Sequence, residues 1–209
     1  MAVACGSDTA TTTTGPSATT GGVGQTTAPP TTTGTTKPAT TASSAAGGGG
    51  DLATAEFAAS LEALAVGTYD AALAAATAGK LGDVPPVVAE FATTARAQHQ
   101  AHLEALNTVI TAAGKPKVDK PNAKYKAIVD GEFAKVTDIA GVAKLARQLE
   151  QIAAATYLKA IPTLQNKDVI EAVGNFHIID MQHVAILNYA LGEYPVPDVF
   201  GKTDMAATP

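Results

Sequence analysis

Four stretches of this chain carry apolar residues at the 3.6-residue spacing of an α-helix, and the links between them are short, long and short. The first helix is expected over residues 51–78, with Asp51 as N-cap after a run of glycines and Gly79 as the stop. Its apolar stripe includes Leu52, Ala55, Ala59, Val66 and Leu73. The second begins after Asp83 with Pro85 and Pro86 in its first turn and ends at Ala113, before Gly114. Val88, Phe91, Ala95, Leu106 and Ile110 mark its inner face. The third is expected over residues 139–161, ended by Pro162, and the fourth over 168–191, with Gly192 behind it. Between the second and third lie about 25 residues broken by Pro116 and Pro121, with a short helix expected over 122–136. Short links fold neighbouring helices into antiparallel hairpins, and the long one has the reach to travel the length of a helix. The expected fold class is therefore all-α: a four-helix bundle of two hairpins joined by one crossover.

The bundle, residues 51–192, is flanked by two segments of a different kind. Residues 6–50 are almost entirely Thr, Ala, Gly, Ser and Pro, with Val23 as the one large aliphatic side chain. Such a segment buries too little apolar surface to offset the entropy of ordering it, so residues 1–50 read as a tether. As a random coil it would span roughly 35–40 Å. Residues 193–209, with Pro195 and Pro197, read as an irregular tail against one end of the bundle.

Composition excludes several roles. The net charge is −5 and no basic face stands out, which argues against nucleic-acid binding. No run of eighteen apolar residues exists to span a membrane. The single cysteine, Cys5, rules out a disulfide within the chain. Its setting, Ala2-Val3-Ala4-Cys5-Gly6-Ser7, resembles the lipobox of bacterial lipoproteins, in which the cysteine is lipidated. A chance cysteine near a terminus is the plain alternative. The charged and apolar parts of a signal peptide are missing upstream. The expectation is that the true start lies before Met1 and that the protein is extracytoplasmic, anchored to the membrane by a lipid on Cys5. Otherwise it is cytoplasmic.

The chemistry-bearing residues repeat between the two hairpins. The first helix holds Glu62-x₆-Tyr69 and the third Glu150-x₆-Tyr157, each with Thr before the Tyr. Seven residues make two turns, so each Glu shares a face with its Tyr, and that face is otherwise Ala and aliphatic. A carboxylate there must be paired, protonated or metal-bound. The second helix holds His99-x-x-His102 and the fourth Asp180-x-x-His183. Side chains at i and i+3 lie side by side and can point into one core.

In helix order, loop order and these spacings, residues 52–191 resemble the ferritin-like superfamily, which includes rubrerythrin-type di-metal bundles. There one Glu comes from each of two helices and a Glu-x-x-His pair from each of the other two. The resemblance implies metal ligation by Glu62, His99, His102, Glu150, Asp180 and His183, with Tyr69 and Tyr157 as hydrogen-bonding support. It departs from the family where His99 and Asp180 replace glutamate: three carboxylates and three imidazoles stand where the family has four and two. Fe or Mn is the implied cofactor, if one is bound, with Zn or Cu as alternatives that the extra imidazole also suits.

Each residue also has a plainer reading. Glu62 and Glu150 can instead hydrogen-bond Tyr157 and Tyr69, and a histidine on an apolar face can be a satisfied core residue. His177, one turn before Asp180, reads as a core or capping group ahead of an extra ligand or support to one, Glu56, Glu90 and Glu104 as solvated, and Met181 and Phe176 as core. Two functions are compatible with these residues. One is a metal-binding bundle with oxidase- or peroxidase-type chemistry. The other is a non-catalytic, metal-free extracytoplasmic bundle with a structural or stress-protection role. The partners implied are a membrane, through Cys5, and a second copy of the chain. A storage cage fits poorly, since no fifth cage-forming helix is visible.

Overall fold

The computed structural model describes residues 49–209; the expected tether and the expected lipidation site at Cys5 lie outside the described residues. Among the described residues there are five α-helices and no strand: α1 (Gly49–Thr77), α2 (Pro86–Ala112), α3 (Ala123–Phe133), α4 (Ile139–Ala160) and α5 (Lys167–Ala190). A 3₁₀ turn, Ile161–Thr163, closes α4 where Pro162 cannot continue it.

Local chemistry starts and stops these helices. Asn122 caps α3 by accepting from Lys124 and Tyr125 N–H, Asp138 caps α4 from Gly141 N–H, and Asn166 caps α5 from Asp168 and Val169 N–H. Behind α2 and α5, Gly114 and Gly192 take φ of 75° and 77°, where a Cβ would be strained.

The hairpin of α1 and α2 packs on that of α4 and α5, with α1 against α4 and α2 against α5. One core cluster joins Ala55, Ala58 and Ala59 of α1 to Leu106 and Ile110 of α2, Tyr157 of α4, and Val169, Val173 and Phe176 of α5. The alanines let α1 lie close to its neighbours. A second, smaller cluster of Tyr69, Ala95, Ala146 and Leu187 sits further along the bundle. The crossover carrying α3 is pinned to both helices of the first hairpin. The Asn107 side chain accepts from Val118 N–H at 2.7 Å and donates to Val118 C=O at 2.8 Å. Asn122 N–H donates to Ser60 C=O at 3.0 Å.

Three expectations change. Asp51 is not the N-cap of α1, which begins two residues earlier. Asp51 is buried, and its Oδ2 accepts from Gln165 and Asn166 N–H at 3.0 and 2.6 Å, so it ties the start of α1 to the α4–α5 link. The tail does not stay at one end. It leaves α5 beside Arg147, brings Gly201 against Leu158 and His177, and ends with Ala207 on the Thr156 hydroxyl and Thr208 on Tyr125. It therefore runs back along α4 as far as α3. Met181 is 38% exposed and not core, because α5 turns its Val184 and Leu187 inward instead. Leu52 and Leu73 are only half-buried, as is Glu56, while Glu90 and Glu104 are exposed.

Candidate metal centre

Glu62 of α1, His99 and His102 of α2, Glu150 of α4, and Asp180 and His183 of α5 all turn into the bundle interior, and all are buried. Each arrives by helical register. Glu62 continues the buried row Ala55, Ala58, Ala59, while Asp180 and His183 continue Val173 and Phe176.

The two glutamates are held by crossed contacts. Tyr69 of α1 donates to Glu150 Oε1 of α4 at 2.6 Å, and Tyr157 of α4 donates to Glu62 Oε1 of α1. The Glu–Tyr contact foreseen as an alternative is therefore made, and it coexists with the cluster. Between the glutamates stands His99, its Nδ1 2.8 Å from Glu62 Oε2 and its Nε2 3.1 Å from Glu150 Oε1. Tyr69 stacks on its ring, with centroids 5.7 Å apart. His102 Nδ1 lies 3.4 Å from Glu62 Oε1, and His183 Nδ1 lies 3.2 Å from Glu150 Oε2, neither aligned as a hydrogen bond.

This packing sets the charges. Burial alone would raise the Glu62 carboxyl, but the His99 and His102 imidazoles hold it down to about 2. Glu150 is lowered too: burial opposes its charge, and His99 and His183 outweigh that. Burial disfavours a charged His99, yet Glu150 and Glu62 raise it well above its ordinary value. Asp180 is raised well above the carboxylate range, by burial first and then by the charges of Glu150 and Glu62. The phenols of Tyr69 and Tyr157 are raised by burial and by their glutamates, so both remain donors.

Five buried side-chain atoms in this cluster have no hydrogen-bond partner: Asp180 Oδ1 and Oδ2, Glu150 Oε2, His102 Nδ1 and His183 Nδ1. An unsatisfied buried polar atom costs about 1–3 kcal/mol, more when charged. Carboxylate oxygens and imidazole nitrogens are also the donors that transition metals take. Two overlapping groups place ligand atoms within 4.8 Å of one another: Glu62, His99 and His102, and His99, Glu150, Asp180 and His183. The donor set thus fits a metal ion.

Sequence reasoning brought these six residues together but missed Gln98. Its Oε1 lies 2.7 Å from His183 Nε2. An amide oxygen only accepts, so Nε2 donates to it and Nδ1 is the ring nitrogen turned to the cluster. Gln98 directly precedes His99, and that adjacency was the one signal available. His177 stays outside the cluster, donating from Nδ1 to Ala154 C=O at 2.9 Å. A narrow apolar cavity of about 70 Å³ reaches Tyr69, His99 and Glu150 from beneath Tyr125, Val129 and Phe133.

No curated protein and no solved structure matches the chain. A family model described as the ferritin-like domain matches residues 50–193, the stretch that contains the four long helices, save the first residue of α1, and every residue of the cluster. By that match the chain belongs to the ferritin-like domain family.

Proposed function

We propose that the bundle binds one or two transition-metal ions, Fe or Mn by preference, among Glu62, His99, His102, Glu150, Asp180 and His183, and carries out oxidase- or peroxidase-type chemistry there. The observation that carries this reading is a set of five buried, unpartnered oxygen and nitrogen atoms from three helices, in two overlapping groups of ligand atoms that share His99. A bound metal would supply electron transfer to O₂ or peroxide; the chain supplies everything else. Tyr69 and Tyr157 orient the two glutamates, and Gln98 fixes the imidazole of His183. The surrounding Ala and aliphatic side chains exclude bulk water, which strengthens the electrostatics of the site. The apolar cavity favours small, weakly polar oxidants over bulky substrates.

Metal analysis of protein purified without chelator and then reconstituted tests the first half. Less than about 0.2 equivalents of any transition metal would end the proposal. Peroxide or O₂ consumption that requires the metal and disappears in Glu150→Ala tests the second.

One observation favours a metal-free structural bundle instead. His99 already bridges Glu62 and Glu150, so part of the buried charge is balanced without an ion. On that reading, added metal leaves the melting temperature unchanged. For location, we propose a lipid anchor at Cys5, supported by its small-residue setting and by the Thr/Gly/Pro-rich segment behind it. Cys5→Ser expressed from the full gene should then move the protein from the membrane to the soluble fraction.

A further inference from the structure

The chemistry-bearing positions of the two hairpins correspond, which exposes where they differ. Adding 88 carries Glu62 and Tyr69 onto Glu150 and Tyr157; adding 81 carries His99 and His102 onto Asp180 and His183. The same shift carries Gln98 onto Ile179. One half of the centre therefore has an amide to orient its histidine, and the other has an aliphatic side chain that cannot. His102 is stacked on Phe176 instead, with ring centroids 4.1 Å apart.

Free donor atoms divide just as unevenly. Both oxygens of Glu62 are engaged, Oε1 by the Tyr157 hydroxyl and Oε2 by His99 Nδ1. Both ring nitrogens of His99 face carboxylate oxygens. Of the five unpartnered atoms, four belong to Glu150, Asp180 and His183, and only His102 Nδ1 belongs to the other half.

We infer that this centre is mononuclear: a single divalent ion is held by Glu150 Oε2, Asp180 and His183 Nδ1, and His99 occupies the place from which a bridging carboxylate would hold a second. The inference rests on the proposed metal binding and narrows it. Two carboxylates and one imidazole suit Mn(II) or Fe(II), and three protein ligands leave coordination positions open for a small ligand. Gln98 is a positioning residue, acting through His183.

The test is titration of the full-length, chelator-treated protein with Mn(II) and, anaerobically, with Fe(II), read as stoichiometry by calorimetry and metal analysis. One equivalent is expected, with the six-line spectrum of isolated Mn(II) in electron paramagnetic resonance. Asp180→Asn should abolish tight binding. Gln98→Leu should weaken it about 10- to 100-fold, with stoichiometry unchanged, and His102→Ala should weaken it less than Asp180→Asn does. Circular dichroism establishes that each variant is folded. Two equivalents with an exchange-coupled spectrum would overturn the mononuclear centre while leaving metal binding intact. No binding of either ion would overturn both.

Discussion

Glu62 and Glu150 keep their charge inside an alanine-rich core because each is satisfied from several sides, and removing one contact exposes what it contributes. Tyr157→Phe deletes the hydroxyl on Glu62 without opening a cavity. A buried hydrogen bond to a charged group contributes about 1.5–3 kcal/mol. Urea unfolding of the metal-free variant should show a loss of that order, and Tyr69→Phe a similar one. The same residues set a pH dependence. Glu62 falls from its ordinary 4.5 to about 2 on folding, so its contribution is present above pH 4.5 and is lost as pH falls toward 2. Glu150 acts in the same direction. His99 and Asp180 are raised, so their contributions are complete below their ordinary values of 6.5 and 3.8 and fade as pH rises toward their folded values. With chelator present, the melting temperature should therefore be higher at about pH 5 than at about pH 3 or pH 8. A profile flat across that range would contradict these assignments.

At the level of the helices, stability depends on how ends and links are tied. Asp51 satisfies two backbone N–H groups of the α4–α5 link, although it sits far from that link in sequence. Asp51→Ala leaves both without that acceptor, and a loss of about 1–3 kcal/mol in denaturant unfolding is expected. Were Asp51 only a helix cap, Asp51→Ser would restore most of it. Ile110, fully buried between α1 and α5, should cost about 2–5 kcal/mol as Ile110→Ala, through lost apolar burial and the cavity left behind. Helix existence, type and order were legible throughout, because the 3.6-residue period runs long and proline, glycine or Asn/Asp punctuates nearly every end. The role of Asp51 was not legible, since its partners lie 114 and 115 residues away.

Over the whole molecule, the tail and the metal are the two remaining constraints. Truncation after Pro197 removes the contacts of Ala207 with Thr156 and of Thr208 with Tyr125. The bundle should keep its helix content, while amide hydrogens of α3 exchange faster, because Tyr125 loses an anchor. An ion bound only by the folded state stabilises it by mass action, by about 2.7 kcal/mol at a hundredfold excess over its Kd. Thermal unfolding with Mn(II) should therefore show a concentration-dependent rise that is absent in Asp180→Asn.

Periodicity and link length alone determine that this chain builds two helical hairpins, and the duplicated Glu, Tyr and His spacings alone determine which side chains turn inward. Both are local properties, set by rise and turn along one helix. The crossing of each tyrosine to the opposite hairpin's glutamate, the clasp of His99 between two carboxylates, and the orientation of His183 by Gln98 are decided only when helices pack. Those contacts span 51 to 95 residues of sequence, except for His99 with Glu62 at 37. No spacing rule on a single helix reaches across such gaps, because the distance between two helices is set by the alanines and aliphatic side chains packed between them.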